Sequence, residues 1–278
     1  MSKIYEALQK AQEERESAGG AAAPAAEQSA HRPWWRPSWH AKPRNGRNGK
    51  NGRNGRNGNG ALHVDFELAP DIEEAYQRLG TNLLTTTREP TVLRDLMIVA
   101  SQHAEGTTTT AALFASTLAK RKKLDVLLIE ANFRTPALEQ IFPIQRNGGL
   151  AELIEGSQSI ETVVQATPQP HLFVMTSGHY ETSPSSVLES SRVSEMITKL
   201  HERFQFLVFD SAPVNVYTDA LILGPRLDAT VFVIEADRTR IDEVQRAKRQ
   251  IERAGGHMLG ALLNRRKNYV PAFLEGLL

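Results

Sequence analysis

The chain has 278 residues, 40% of them hydrophobic, which is enough for one α/β core of about 200 residues with non-globular sequence to spare. It contains no cysteine, so disulfides, thiolate metal sites and cysteine nucleophiles are excluded and any chemistry must use oxygen and nitrogen groups. Net charge is only +1, yet residues 31–60 hold eight Lys and Arg and no Asp or Glu, leaving 25 basic against 32 acidic residues elsewhere. Charge segregated in this way bears on partners.

No window approaches the roughly 20 apolar residues of a membrane-spanning helix, and the opening MSKIYEALQK lacks the apolar stretch of a secretory signal. The expectation is a cytoplasmic protein. Residues 1–17 read as an amphipathic docking helix, with a frayed N-terminus as the plain alternative: Ser2 can cap its start, and Ile4, Leu8 and Ala11 recur at helical spacing among polar residues. Residues 18–63 read as a disordered linker, because GGAAAPAAEQSA and the repeated Asn-Gly units bury too little apolar surface to offset chain entropy. Within it HRPWWRPSWH holds Trp34, Trp35 and Trp39 beside Arg32 and Arg36. That composition suits a headgroup-level membrane contact or a groove on a partner. An incidental sticky linker is the plain alternative, and no recognised nucleic-acid module surrounds it.

From residue 64 to 278 the pattern is that of an α/β domain. A helix over 71–87 precedes apolar strands at 96–100, 125–129, 172–176, 206–209, 229–234 and 258–263, with helices at 108–121, 185–203 and 240–254 between them. Near-continuous apolar strands separated by helices predict a parallel sheet covered on both faces. Its ligand site is expected at the C-terminal strand ends.

The first strand end, LMIVASQHAEGTTTT, runs through Ala104, Glu105 and Gly106 straight into a helix. A helix N-terminus offers free amides and a positive dipole end, and glycine lets the backbone approach an anion closely. Glu105, Gly106, Thr107, Thr108 and Thr109 are therefore the candidate phosphate-binding residues, with the Thr108 hydroxyl placed to reach Mg²⁺; a plain strand-turn-helix junction is the alternative reading of this segment taken alone. The second strand ends VLLIEANFRTPAL, the fourth ends FQFLVFDSAPV with Asp210 at its tip, and the last ends ALLNRRKNYVP.

The order of these pieces, with the opening MSKIYEALQKA and the pre-domain EEAYQRLGTNLL, resembles the bacterial tyrosine autokinases of capsule and exopolysaccharide operons. The resemblance covers both ends and nearly the whole core. It implies a P-loop NTPase fold related to septum-positioning and chromosome-partitioning ATPases, with ATP or ADP and Mg²⁺ as cofactors. The family pattern P-G-E-G-K-[ST]-T-T puts Glu105, Gly106 and Thr108 on matching positions and Thr107 where lysine is expected. The acidic I-D-x-D-x-R-x-P becomes Ile129 to Pro136, in which Arg134 and Pro136 are kept while Glu130 and Asn132 replace the two aspartates. Asp210 matches the aspartate that helps hold Mg²⁺, and Asp210 and Glu130 are the candidate catalytic acids. Asn264 matches a position that contacts the nucleotide base in related ATPases; a polar strand terminus is the alternative. Asp219 and Asp237 lie at other strand-to-helix junctions, where helix capping is the default reading.

Two further departures concern assembly and substrate. The tail offers only Tyr269 where the family has a tyrosine cluster, and the ring-forming E-x-x-R-x-x-R pattern reads Glu74, Gln77 and Gly80. The reading favoured is a regulator of polysaccharide assembly without tyrosine kinase activity, docked on an inner-membrane chain-length or co-polymerase protein or on a sister kinase, with oligomerisation open. One alternative is an active autokinase that draws a substitute cation from Arg134, Lys120 or a partner. Another is a partitioning or positioning ATPase whose basic linker holds DNA or anionic lipid.

Overall fold

In the computed structural model residues 70–85, 93–145, 147–181 and 183–266 are described. The docking helix, the linker with Trp34, Trp35 and Trp39, and Tyr269 lie outside them. Seven strands make one sheet in the order β3-β4-β2-β5-β1-β6-β7. They are β1 (Asp95–Ala100), β2 (Val126–Ala131), β3 (Gln165–Ala166), β4 (Leu172–Met175), β5 (Phe206–Ser211), β6 (Ala229–Glu235) and β7 (Met258–Asn264). All neighbours run parallel except β3, a two-residue edge antiparallel to β4. Strands β1, β2 and β5 are buried along their whole lengths, which is why they appear in the sequence as apolar runs without alternation.

Alternating side chains divide the core in two. Met97, Val99, Leu127, Ile129, Leu207 and Phe209 face one side, beneath α3 (Leu150–Glu155), α4 (Ile160–Val163), α5 (Pro184–Glu189), α6 (Arg192–His201), α7 (Asp219–Leu223) and α8 (Ile241–Arg253). Leu96, Ile98, Val126, Leu128, Phe206 and Val208 face the other, beneath α1 (Pro70–Thr85) and α2 (Thr107–Lys122). Helix α2 is buried from Thr110 through Ala119, so packing overrides the weak helix propensity of its four opening threonines. Gly80 has a packing reason: a Cβ there would lie 3.1 Å from Leu118 Cδ2. Nearby, Arg78 pairs with Glu74 at 2.6 Å on the exposed side of α1.

The strand expectations hold within one or two residues, and β3 is the added element. The helix expected over 185–203 is two helices. Ser190 leaves the helical region at φ −52, ψ 136, and Arg226 satisfies the freed carbonyls by donating to Leu188 O at 2.8 Å and Glu189 O at 3.4 Å. Serines that can bond locally to backbone weaken a helix at such a point. Among the described residues no helix is long and apolar enough to cross a membrane. The far edge strand, β7, is only half covered: Leu263 is 47% exposed, and the space over Gly260 is open.

Candidate functional site

Strand β1 lies between β5 and β6, while the chain continues from β1 to β2 beyond β5. That reversal of direction opens a crevice at the C-terminal strand ends, where the loops after β1, β2, β5 and β7 gather. The loop after β1 turns through two left-handed residues, Ala104 at φ 66 and Gly106 at φ 94. Gly106 then begins α2, and its carbonyl accepts the Thr110 amide at 2.9 Å. Thr107, Thr108 and Thr109 form the first turn, which carries no acidic residue and no side-chain cap. Such a turn keeps its amides and its positive end for an anion.

Glu105 does not face that anion. It is buried, and its carboxylate accepts the Ser101 amide at 2.8 Å, the Gln102 amide at 3.1 Å and the Ser101 hydroxyl at 3.1 Å. The Thr239 hydroxyl donates to it from the loop after β6. The carboxylate therefore ties the loop to itself and to β6. On the outer side Asn264 Nδ2 donates to Glu105 O at 2.9 Å, and Arg265 Nη1 donates to Ala104 O at 3.0 Å. Asn264 is thus lodged against the loop backbone.

Asp210 and Glu130 are register partners on β5 and β2, and Asp210 is also level with Ile98 of β1. Paired residues of parallel strands share a face, so both acids point toward α2 with Ile98. Their environments differ sharply. Glu130 Oε1 accepts the Ala137 amide at 2.6 Å and the Leu138 amide at 2.8 Å, while Oε2 accepts the Ser177 amide at 3.1 Å and hydroxyl at 3.2 Å. Neither oxygen of Asp210 has a hydrogen-bond partner, although the residue is wholly buried. Burial pushes its carboxyl up to about 8; the nearby Thr108 hydroxyl offsets part of this and the Glu130 carboxylate adds to it.

Asn132 closes a local turn, its Oδ1 accepting the Thr135 amide at 3.2 Å and its Nδ2 meeting Thr135 Oγ1 at 3.0 Å. Arg134 is committed elsewhere. Its Nε donates to Asp219 Oδ2 at 3.2 Å, and its guanidinium lies 4.8 Å from the centre of the Tyr217 ring. Asp219 is fully buried and also accepts from Ser185 at 2.9 Å, so its carboxylate serves this ion pair instead of capping α7. Lys120 sits thirteen residues along α2 from Thr107, about 20 Å at the helical rise, and its nearest carboxylate is Glu73 at 3.9 Å. Neither of these two cations serves the first turn of α2.

Three contributors escaped the sequence reading. Ser177 holds Glu130, Thr239 holds Glu105, and Arg265 holds Ala104. Arg265 alone left a signal, as the residue after Asn264. Among the described residues no cluster of three or more carboxylate and imidazole groups could hold a metal ion. The unpartnered Asp210 carboxylate beside the Thr108 hydroxyl nevertheless fits the way Mg²⁺ is bound, by one or two protein oxygens together with phosphate oxygens.

No protein-family model matches the chain. The tyrosine-protein kinase YwqD of Bacillus subtilis is 31% identical over 194 residues, spanning 70% of this chain and 81% of that protein. Among solved structures, the chimerical protein CapA2B2 superposes with a TM-score of 0.69 at 25% identity, covering 75% of this chain and 90% of that one. The cell-division ATPase MinD of Pyrococcus furiosus shares the fold at a TM-score of 0.52 and 19% identity, covering 66% of this chain and 78% of that one. With a sheet of P-loop NTPase type, a glycine turn leading into α2, and acids at the tips of β2 and β5, the chain belongs to the bacterial tyrosine-kinase family.

Proposed function

We propose that the protein is a regulator of capsule or exopolysaccharide assembly that keeps the kinase fold and its phosphate cradle without transferring phosphate to tyrosine. One observation carries this reading: the first turn of α2 presents Thr107 where a lysine would meet the outer phosphates, while Arg134 is bound to Asp219 and Lys120 lies at the far end of the helix. Phosphoryl transfer is largely a matter of placing positive charge on the developing equatorial oxygens. A threonine hydroxyl can donate one hydrogen bond there but brings no charge.

ATP or ADP would lie with its phosphates on the amides of residues 106–109, its metal between Thr108 and Asp210, and its base toward Asn264. Mg²⁺ bound there would supply charge neutralisation to the phosphates. The N-terminal segment would dock on an inner-membrane co-polymerase protein or a sister kinase, with Trp34, Trp35 and Trp39 near the membrane. A second reading, an active kinase given its cation by a partner, is favoured by the retained Thr108 and Asp210.

Calorimetry with ATP, ADP and Mg²⁺, beside a Thr107→Lys variant and a phosphotyrosine assay with and without the co-polymerase, tests the proposal. The expected result is binding at least tenfold tighter in the variant, with no phosphotyrosine formed by the native chain. Phosphotyrosine formation by the native protein overturns it.

A further inference from the structure

We propose that Asn264 and Arg265, at the end of β7, are positioning residues of the phosphate loop, clamping two successive carbonyls so that an alanine can hold the left-handed turn where the family pattern has glycine. The nucleotide arm of this inference rests on the function proposed above; the loop arm does not.

Ala104 has φ 66, a region where a Cβ crowds the following carbonyl and which non-glycine residues avoid. Its carbonyl is the one taken by Arg265, and the next carbonyl, that of Glu105, is taken by Asn264. In a trans peptide the C=O and the following N–H point in opposite directions. Fixing the Ala104 and Glu105 carboxyl-side oxygens against β7 therefore turns the amides of Glu105 and Gly106 away from β7, toward the concave side of the loop. That is the orientation an anion needs.

The clamp is itself held in place. Asn264 Oδ1 accepts the Arg265 amide at 2.9 Å, which steadies Arg265 at its own left-handed φ of 56. Arg265 Nη1 also meets Glu235 Oε1 at 2.8 Å, and Arg238 Nη1 meets Glu235 Oε2 at 2.8 Å. Burial raises the Glu235 carboxyl, but the two arginines outweigh it and hold the group below its usual value. Glu235 is therefore an anion at neutral pH and keeps Arg265 over the loop. The fit is close: a Cβ at Gly106 would lie 2.2 Å from Asn264 Nδ2.

Amide hydrogen exchange on the full chain without nucleotide reads the clamp directly, at the Ser101 and Gln102 amides held by Glu105 and at the Thr110 amide held by Gly106. Arg265→Ala is expected to speed exchange at these three amides about tenfold, the factor corresponding to one alanine's left-handed penalty, while amides of β2 and β5 stay unchanged. In an Ala104→Gly background, where that penalty is gone, the same substitution is expected to change them less than threefold. Equal effects of Arg265→Ala in both backgrounds, or none in either, overturn the proposal, because an arginine that merely anchors the end of β7 would not sense residue 104. ADP titration of the same variants separates the two claims. A tenfold loss of affinity restored by Ala104→Gly supports both, whereas a native chain that binds no ADP removes the nucleotide arm, leaves the regulator reading standing and leaves the exchange data to decide the clamp.

Discussion

Each end of the sheet buries an aspartate, and the two differ in what stands beside them. At the N-terminal end Asp95 opens β1, and His201 Nε2 of α6 lies 2.6 Å from its Oδ1. Burial and then the neighbouring Asp228 push the Asp95 carboxyl up to about 7, while burial, aided by Arg94, pulls His201 down. Asp228 in turn accepts the Arg94 and Asp95 amides at 2.7 and 3.0 Å. At the C-terminal end Asp210 is at least as buried and has no hydrogen-bond partner. The contrast teaches that burial of acid is not in itself the sign of a site. One end sets its acid against a histidine, although Asp95 Oδ1 too lacks a hydrogen-bond partner, and the other leaves both oxygens of its acid unpartnered at the C-terminal strand ends, where an unsatisfied buried acid is characteristic of function.

The largest expected effect comes from breaking the satisfied acid at the tip of β2. Glu130→Ala strands the Ala137, Leu138 and Ser177 amides in the interior and should destabilise by roughly 3–5 kcal/mol in urea unfolding. Glu130→Asp, which restores the family's residue, should also destabilise, because an aspartate one methylene shorter cannot reach both segments.

Asp210 should behave in the reverse sense. Its folded carboxyl binds a proton up to about pH 8 against 3.8 ordinarily, so the folded state holds more protons than the unfolded one between those values and stability falls as pH rises through them. Asp210→Asn should therefore be more stable than the native chain by roughly 1–3 kcal/mol at pH 8 and indistinguishable from it near pH 4. Thermal melts across that range check the sign; a variant less stable at pH 8 would contradict the burial argument.

At the other end Asp95→Asn should have a smaller effect of the same sign, on the order of 1 kcal/mol, growing between pH 4 and 7 and constant above 7, because burial and Asp228 raise the folded Asp95 carboxyl only to about 7. Smallest of all, Lys120→Ala should change stability by less than about 0.5 kcal/mol, since its contact with Glu73 is solvent-exposed. It should leave nucleotide affinity untouched, and a loss of affinity would mean that the far end of α2 does communicate with the loop.

Much of this was legible in advance, and what was not has a common cause. Strands β1, β2 and β5 announce themselves because burial on both faces leaves them uniformly apolar. Asp210, Thr108 and Gly106 could be placed because each sits at a strand end or helix start that local pattern locates. Glu130 could be placed but not understood. Read against the family pattern it is a lengthened aspartate, yet its partners come from residues 7, 8 and 47 positions away, a distance over which no periodicity speaks. Arg134 misled for the same reason: its availability depended on Asp219, 85 residues on. The break at Ser190 depended on Arg226 arriving from another loop.

The two margins of the sheet differ in one further respect. On one side the last strand is β3, two residues long and antiparallel, too short to template another chain. On the other, β7 offers seven residues with an exposed Leu263 and open space at Gly260. Among the described residues the sheet thus has one adhesive border and one blunt one. Through these two borders alone, association by strand addition would use β7 once per molecule, so among the described residues it would make a pair and not a filament.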